Sequence, residues 1–457
     1  MVCSWSDKCR NIKRMRKSSP PSSFWSELQY SIWESIFQRL SFQDVLTVQS
    51  VSTHWLSLSK TLISSKSHAQ SNQIPWLLML NPPDDDQEHK QEIQDYKRVL
   101  EIDYKRHAVE EDHSRYTCIG SSHGWLIFLD HKASRPFLVN PFIKQVKIQL
   151  PCLNSLLGIL QIEKNIQLGE YFINYYNKSR NLVLVCYATH LRQSVLHKSV
   201  LSSDPCLGVN SLGVVVIYGR ARKLGYCNYG DSSWKGLEDG KFWPYSDIIC
   251  YNNNKLYALG ENACVEAWDL LDGKCVPTKT MEIKLCFPLK SAKMLSDFRY
   301  LYVCRLYLVE KLGDLLLVVR YIGEFVNGDN EVVQEDDLLT DEDTQPLVCP
   351  YKTLLFHVYK LDFDERKWIE VESLGDSALF LGGSHSVSVC SSVDSGYKKN
   401  SIYFTDDYWD RMEEDYLYGG HDMGVFSLED QSVGPIYQSS GSMKIQPPPC
   451  WVAPSLW

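Results

Sequence analysis

The sequence contains no hydrophobic run long enough for a membrane and no apolar leader at its N-terminus. Its apolar runs, such as GVVVIYG and DLLLVVRYI, are far shorter than the roughly 20 residues that a membrane-spanning helix needs. The N-terminal stretch MVCSWSDKCRNIKRMRK is polar and basic, so it lacks the apolar segment of a secretory signal peptide. We therefore expect a soluble protein of the nucleus, the cytoplasm or both, with no membrane partner.

Paired cysteine motifs and an excess of basic residues are also missing. The 15 cysteines are odd in number and scattered along the chain, and no CxxC pair occurs. This distribution indicates reduced thiols rather than a disulfide framework, and no Cys/His set has the spacing of a zinc site. The formal net charge of −9 argues against nucleic-acid binding, which needs a clustered Lys/Arg surface. We expect neither a metal nor a nucleic-acid partner.

Motifs of nucleotide-binding proteins and metalloproteases are absent as well, because no P-loop, GxGxxG or HExxH string occurs. In GSSHGW, at residues 120–125, Ser122 and His123 are adjacent. Successive residues of a strand point to opposite faces, so this pair is poorly placed to act as nucleophile and base. A tight turn that leads into a central strand is the interpretation we prefer. We expect no catalytic residue and no cofactor.

Aromatic residues are abundant, with 13 Trp, 26 Tyr and 16 Phe, and such residues favour strands. From about residue 74 onward, short apolar runs alternate with turn residues at intervals of roughly ten. Examples are GWLIFLD, NLVLVCYA, GVVVIYG and SIYFTDD. The pattern predicts a mainly β fold, which could be a sandwich, a barrel or a propeller.

Weak internal repeats favour the propeller. Four segments share one design, an apolar strand followed by a polar turn and a return strand, and they begin near residues 135, 264, 357 and 424. These separations allow degenerate blades of about 40 to 50 residues each. We therefore predict a degenerate β-propeller of about six or seven blades over residues 66–457.

Three further segments differ from this strand pattern. The acidic stretch at 325–346 is charged and poor in aromatics, so we expect a disordered insertion, either inert or a docking segment for a basic partner. Residues 1–23 are basic and end in SSPPSS, which predicts a disordered tail, either a nuclear-localisation patch or a solvated tail. The C-terminal QPPPCWVAPSLW is expected to pack against the first or last blade.

Residues 24–65 form the one strongly helical region. Apolar residues recur there every three or four positions, and Ser41 with Asp44 fits a capping box at a helix start. About 40 residues are very little chain for an independent hydrophobic core. The large apolar side chains, including Trp33 and Phe37, therefore need a second packing surface, either on the β domain or on another protein.

This helical segment, FWSELQYSIWESIFQRLSFQDVLTVQSVSTHWLSLSK, resembles an F-box. Together with GSSHGWL, the strand pattern and the terminal PPPCWVAPSLW, it is similar to a large plant family in which an F-box precedes a kelch-like β-propeller. The resemblance implies that nine F-box residues contact a Skp-type adaptor: Leu28, Ile32, Ile36, Leu40, Asp44, Val45, Val48, Val51 and Trp55.

The same resemblance implies a function. The F-box would dock on the Skp-type adaptor, which links it to cullin and RING subunits, and the propeller would bind a target protein for ubiquitination. The chain would then be the non-catalytic substrate-recognition subunit of an SCF-type ubiquitin ligase. The alternative is a protein-interaction protein that acts outside the ligase through a degenerate F-box. Trp25 supports this alternative, because proline is usual at that position of the family pattern.

Overall fold

The computed structural model describes residues 32–33, 36, 48, 51–64, 74–79, 99–101, 116–130, 133–141, 146–165, 170–177, 180–187, 195–205, 212–237, 244–251, 255–270, 277–288, 290, 301–335, 350–390, 397–413, 419–436, 445 and 449–453. The chain divides into two compact units, Met1–His68 and Ala69–Trp457. The tail at residues 1–23, Trp25 and the capping-box pair Ser41 and Asp44 lie outside the described residues.

The described residues of the first unit are helical except for Ser52. Ile32, Trp33, Ile36, Val48 and Val51 have helical conformation, as the apolar spacing predicts, and helix α1 follows at Thr53–Ser64.

Ser52 caps the start of α1. The backbone N–H of Trp55 donates to the Ser52 hydroxyl oxygen at 3.2 Å, and the N–H of Leu56 donates to the Ser52 carbonyl at 3.0 Å. A serine side chain that accepts from the third helical amide satisfies one of the donors that a helix start leaves unpaired.

The described part of the second unit is almost entirely β. Its strands are β1 (Trp76–Met79), β2 (Val99–Glu101), β3 (Tyr116–Ser122), β4 (Trp125–Asp130), β5 (Arg135–Val139), β6 (Lys147–Gln149), β7 (Ile159–Asn165), β8 (Glu170–Asn177), β9 (Arg180–Tyr187), β10 (Leu196–Leu201), β11 (Gly213–Tyr218), β12 (Lys223–Asn228), β13 (Lys235–Gly236), β14 (Tyr245–Tyr251), β15 (Lys255–Gly260), β16 (Val265–Asp269), β17 (Thr278–Ile283), β18 (Tyr302–Lys311), β19 (Asp314–Gly323), β20 (Lys352–Asp362), β21 (Lys367–Glu370), β22 (Ser377–Leu381), β23 (Ser386–Cys390), β24 (Ser401–Phe404), β25 (Gly424–Ser427), β26 (Ser432–Pro435) and β27 (Cys450–Val452). A 3-10 turn at Leu153–Ser155 and a short helix α2 at Trp409–Glu413 interrupt them.

Among the described residues, five sheets have four or five strands each and form the blades of a propeller. In chain order they are β3–β6, β10–β13, β14–β17, β18–β21 and the sheet ordered β23-β22-β24-β25-β26. The innermost strands β3, β10, β14, β18 and β23 contact one another in that order. The N–H of Ser121 donates to the carbonyl of Ser384 at 3.1 Å, which joins the first blade to the last and closes the ring.

The predicted propeller fold is therefore confirmed, whereas the predicted number of about six or seven blades is wrong. Two further sheets, β2-β1-β27 and β7-β8-β9, have three strands each. The first shares core clusters with the first and fifth blades, and the second shares a core cluster with the first and second blades. Because β3 contacts β10 directly and Ser121 bonds to Ser384 of the last blade, these two sheets pack between blades without joining the inner ring.

Continuous apolar runs form the blade strands because both faces of each blade are covered. In β11, GVVVIY, Val214 and Val216 belong to one core cluster, while Val215 and Ile217 belong to the next. A strand alternates its side chains between two faces. A strand between two neighbouring blades therefore needs apolar residues at every position rather than at every second one.

The segment GSSHGW forms the hairpin between β3 and β4. His123 and Gly124 occupy the turn with φ values of 51° and 74°, and two positive φ angles in a two-residue loop match the right-handed twist of the flanking strands. The interpretation of a tight turn before a central strand is confirmed. Gly120, just before it, allows close strand approach, because a Cβ there would lie 2.4 Å from the Ser199 carbonyl oxygen.

The two ends of the second unit meet in one sheet. Strand β27, near the C-terminus, pairs antiparallel with β1, and the fully buried ring of Trp451 packs edge-on against Phe380 of the last blade at 5.1 Å. The expectation that the C-terminal segment packs against a terminal blade is confirmed for residues 450–452.

The beginning of the acidic stretch is ordered, in contrast to the predicted disorder. Phe325 and Val326 are buried, Val326 forms a β-bridge with Val332, and the Asn327 side chain accepts from the N–H of Glu331 at 2.9 Å. Residues 336–349, which include the rest of this stretch, lie outside the described residues.

Candidate functional site

The described F-box residues combine an internal aromatic contact with exposed apolar side chains. Trp33 is buried, and its ring meets that of Trp55 edge-on with centroids 4.7 Å apart. In contrast, Ile32 is 45% exposed and Val51 is 60% exposed. Ile36 and Val48 are half-buried.

The remaining four predicted contact residues lie outside the described residues; they are Leu28, Leu40, Asp44 and Val45. The adaptor-binding role of all nine residues stays a prediction. What the structure adds is that two of the five described residues present apolar surface to solvent.

A second candidate site is a cleft in the propeller, with a volume of about 450 Å³. It lies where strands β10, β14 and β18 begin and where β22 and β24 end, so blades two to five all contribute to it. The loops at the ends of propeller strands can vary in sequence without disturbing the packing of the blades. Such a position is therefore suitable for recognition of a partner.

A buried ion pair joins three blades at the floor of this cleft. Lys198 of β10 pairs with Asp247 of β14, and the same carboxylate accepts from the N–H of Leu308 in β18 at 2.7 Å. Burial raises the pKa of Asp247, and the neighbouring Lys198 charge opposes that rise. The pair therefore neutralises two charges that would be costly to bury singly.

Behind the cleft, the guanidinium of Arg320 holds the last blade to β19. It is fully buried and donates to Asp407 Oδ1 at 3.0 Å and to Asp422 Oδ2 at 2.9 Å. The Asp422 carboxylate also accepts from the Thr353 hydroxyl at 2.7 Å. These bonds fix the segments on either side of α2, including the part that lines the cleft.

Asp406, next to this network, is buried and accepts from the Tyr351 hydroxyl at 2.9 Å and from the N–H of Asp422 at 3.0 Å. Burial, together with the nearby Asp422 carboxylate, raises the pKa of Asp406 to about 7. The charge on this side chain therefore changes near neutral pH.

Sequence reasoning alone does not find the cleft. The signal is present in LYVCRLYLVE and DLLLVVRYI, each of which places one arginine, Arg305 or Arg320, inside an apolar strand. A charged residue at such a position needs a buried partner or a polar cavity. Its partners come from distant segments and are not identifiable from spacing.

The GSSHG segment has the G-x-S-x-G spacing of a hydrolase nucleophile elbow, but it has a different structure. A nucleophile elbow joins a strand to a helix, whereas this segment joins the strands β3 and β4. The Ser122 hydroxyl accepts from the N–H of Leu201 at 3.3 Å, which links two blades. Within the described residues, no group of three or more His, Cys, Asp or Glu side chains is arranged to hold a metal ion.

Two protein-family models match the chain. The F-box domain model matches residues 25–66. The model of the KIB1-4 β-propeller matches residues 93–427, which is more than half of the chain. The chain belongs to the KIB1-4 β-propeller family.

Curated relatives of this KIB1-4 family member are F-box proteins of Arabidopsis thaliana. The probable F-box protein At4g22060 is 23% identical over 446 residues, covering 92% of this chain and 94% of the relative. The F-box/kelch-repeat protein KIB1 is 24% identical over 417 residues, covering 90% of this chain and 85% of the relative. F-box proteins are generally non-catalytic adaptor subunits, and an F-box followed by a propeller supports a substrate-adaptor role for this family member. No helix within the described ranges is long and apolar enough to cross a membrane.

Proposed function

We propose that the chain is the substrate-recognition subunit of an SCF-type ubiquitin ligase. Its F-box docks on a Skp-type adaptor, which connects it to cullin and RING subunits, and its propeller binds a target protein. The observation that carries this proposal is the F-box match at residues 25–66, within which Ile32 and Val51 expose apolar surface.

The proposed role requires no covalent chemistry from this chain. A receptor that binds both the ligase and a target raises the effective concentration of a target lysine near the charged ubiquitin-conjugating enzyme. Two rigidly folded binding surfaces are sufficient for that role. We place the protein in the nucleus, the cytoplasm or both, on the basis of its basic N-terminal residues.

Adaptor recovery from purified full-length protein tests this function. Val51→Asp places a carboxylate where the proposal expects an apolar contact, and burying an unpaired charge is strongly unfavourable. We expect recovery of a co-expressed plant Skp-type adaptor to fall about tenfold or more. Ile32→Asp and Leu40→Ala should act in the same direction.

Leu157→Asp is a matched control, because Leu157 on the propeller is 55% exposed and Val51 is 60% exposed. It should leave adaptor recovery unchanged. Equal recovery from the Val51→Asp and Leu157→Asp proteins would refute the docking surface. Trp55→Ala is less informative, because it also removes the edge-on contact with Trp33.

Trp25 favours a second candidate function, in which the F-box is degenerate and the protein binds its partners outside the ligase. Proline is usual at this position of the family pattern, and its absence removes a helix-start signal. Recovery of the adaptor together with cullin from wild-type protein supports the ligase subunit. Recovery of the adaptor without cullin, or of neither, supports the second function.

A further inference from the structure

The cleft at the propeller axis has the size and composition of a ligand site. Its volume of about 450 Å³ falls within the range of about 300 to 1,000 Å³ that ligand pockets occupy. Blades two to five line it, so any ligand that fills it would contact segments that are far apart in the sequence.

The carboxylates of the cleft are matched by cations. Asp247 and Asp407 have side chains only 2% and 5% exposed, and they pair with Lys198 and Arg320 respectively. Glu261, at the more exposed rim, pairs with Arg222 at 3.0 Å. An incoming ligand therefore does not meet an unneutralised acidic surface.

Arg305 provides a basic group on the cleft wall. It extends from β18, and the central carbon of its guanidinium lies 5.2 Å from the centroid of the Tyr408 ring. Stacking on an aromatic ring orients the planar guanidinium, and this group can bind a carboxylate through two parallel hydrogen bonds. The geometry is suited to recognition of a carboxylate rather than of a cation.

Apolar side chains also line the cleft. Phe287, Val303 and Leu306 are half-buried and border the same cavity, and so does Trp409 at the start of α2. Binding sites of this kind typically pair an apolar wall, which supplies affinity, with a few polar groups that fix orientation.

We propose that this cleft binds a segment of the target protein in which an Asp or Glu side chain lies beside an aliphatic or aromatic one. The carboxylate pairs with Arg305, and the apolar side chain packs against Val303, on the same face of β18 as Arg305, and against Trp409. This inference rests on the proposed function in one respect, namely that the propeller is the part that binds the target.

Selection from a phage library of random 12-residue peptides, on purified full-length protein without any adaptor, tests the inference. We expect the enriched peptides to carry Asp or Glu within two positions of an aliphatic or aromatic residue. Synthetic copies with a fluorescent label then give dissociation constants by fluorescence polarisation. Arg305→Gln should weaken binding about tenfold or more, and Arg305→Lys should retain part of it, since lysine keeps the charge but not the planar fork.

Arg366→Gln is the matched control, because it removes the same charge from an exposed turn after β20 and should leave affinity unchanged. Thermal unfolding of each variant establishes that it is folded. Affinity should also fall as salt rises, since the proposed contact is partly electrostatic.

The inference is wrong if no peptide is enriched, if enriched peptides lack acidic residues, or if Arg305→Gln and Arg366→Gln bind alike. None of these outcomes tests adaptor binding, because the selection contains no adaptor. Peptide binding without adaptor recovery would refute only the ligase role, whereas adaptor recovery without peptide binding would refute only the cleft.

Discussion

Replacing Arg320 with methionine removes the cation that connects β19 to the last blade. The methionine keeps a long apolar side chain of similar reach, so the change mainly deletes charge and hydrogen bonds. In the wild-type protein the guanidinium also donates to the Thr353 hydroxyl at 2.7 Å and to the Thr405 carbonyl at 2.9 Å. These contacts add to its ion pairs with Asp407 and Asp422.

The expected loss of stability is large because both carboxylates stay buried. Their side chains are 5% and 4% exposed, and removing one partner of a buried ion pair costs about 3–5 kcal/mol. We therefore expect the free energy of unfolding to fall by about 3–5 kcal/mol at pH 8. The two aspartates then remain buried without the cation that pairs with both of them.

Urea unfolding of the full-length protein, followed by tryptophan fluorescence, measures this loss. Lys360→Met is the control, because Lys360 and Asp314 form an ion pair at 2.8 Å with side chains 45% and 44% exposed, and such a pair contributes only about 0–1 kcal/mol. Adding Asp407→Asn and Asp422→Asn to Arg320→Met should recover part of the stability, because no buried charge is left unpaired. A loss below about 1 kcal/mol would refute the reasoning.

Three further predictions concern other parts of the chain. Because the pKa of Asp406 is raised to about 7, the folded state holds a proton that the unfolded chain releases near pH 4. Wild-type stability should therefore decline between about pH 4 and 7, relative to Asp406→Asn, in urea unfolding at a series of pH values. Ser52→Ala removes the cap of α1, which should destabilise the helix by about 1 kcal/mol. Hydrogen exchange of the α1 amides should speed up by the corresponding factor. Trp451→Ala deletes a fully buried ring whose Nε1–H donates to the Leu381 carbonyl at 3.0 Å. It should lower the free energy of unfolding by about 3–5 kcal/mol.

Each of these has a direct control. Parallel pH profiles for wild type and Asp406→Asn would contradict the titration near neutral pH. Ser57→Ala, within α1 rather than at its start, should not speed exchange, and equal effects of the two serine changes would argue against capping. Tyr229→Ala, at a position 45% exposed, should change stability by less than about 1 kcal/mol. A similarly small effect of Trp451→Ala would mean that the C-terminal strand contributes little.

Local pattern was enough to find most strands but not to count blades. The runs WLLM of β1 and NLVLVCY of β9 have the same composition as blade strands, so a count from sequence includes them. Only long-range contacts show that these two strands lie outside the inner ring of blades. Strand β1 pairs with β27 from the other end of the unit, and β9 belongs to a three-stranded sheet between two blades.

The two candidate sites also differ in how far the local sequence pattern predicts them. The F-box pattern is local, because helical spacing alone predicts a face with residues such as Ile32 and Val51, and both prove to be exposed. The cleft is not local. Arg305, Lys198 and Asp247 come from three strands of three blades, and nothing in the spacing of these residues indicates that they meet.

The sequence by itself determined the helical N-terminal region, the mainly β second unit and the hairpin turn at His123 and Gly124. Each of these depends on interactions within a few residues, through side-chain periodicity or backbone preference. Only the tertiary structure decided the five blades, the cleft and the partners of Arg320. That arginine bonds to Asp407 and Asp422, which lie 87 and 102 residues away. Pairings over such distances depend on how the blades close around the axis. The short-range residue pattern does not predict which distant segments that closure brings together.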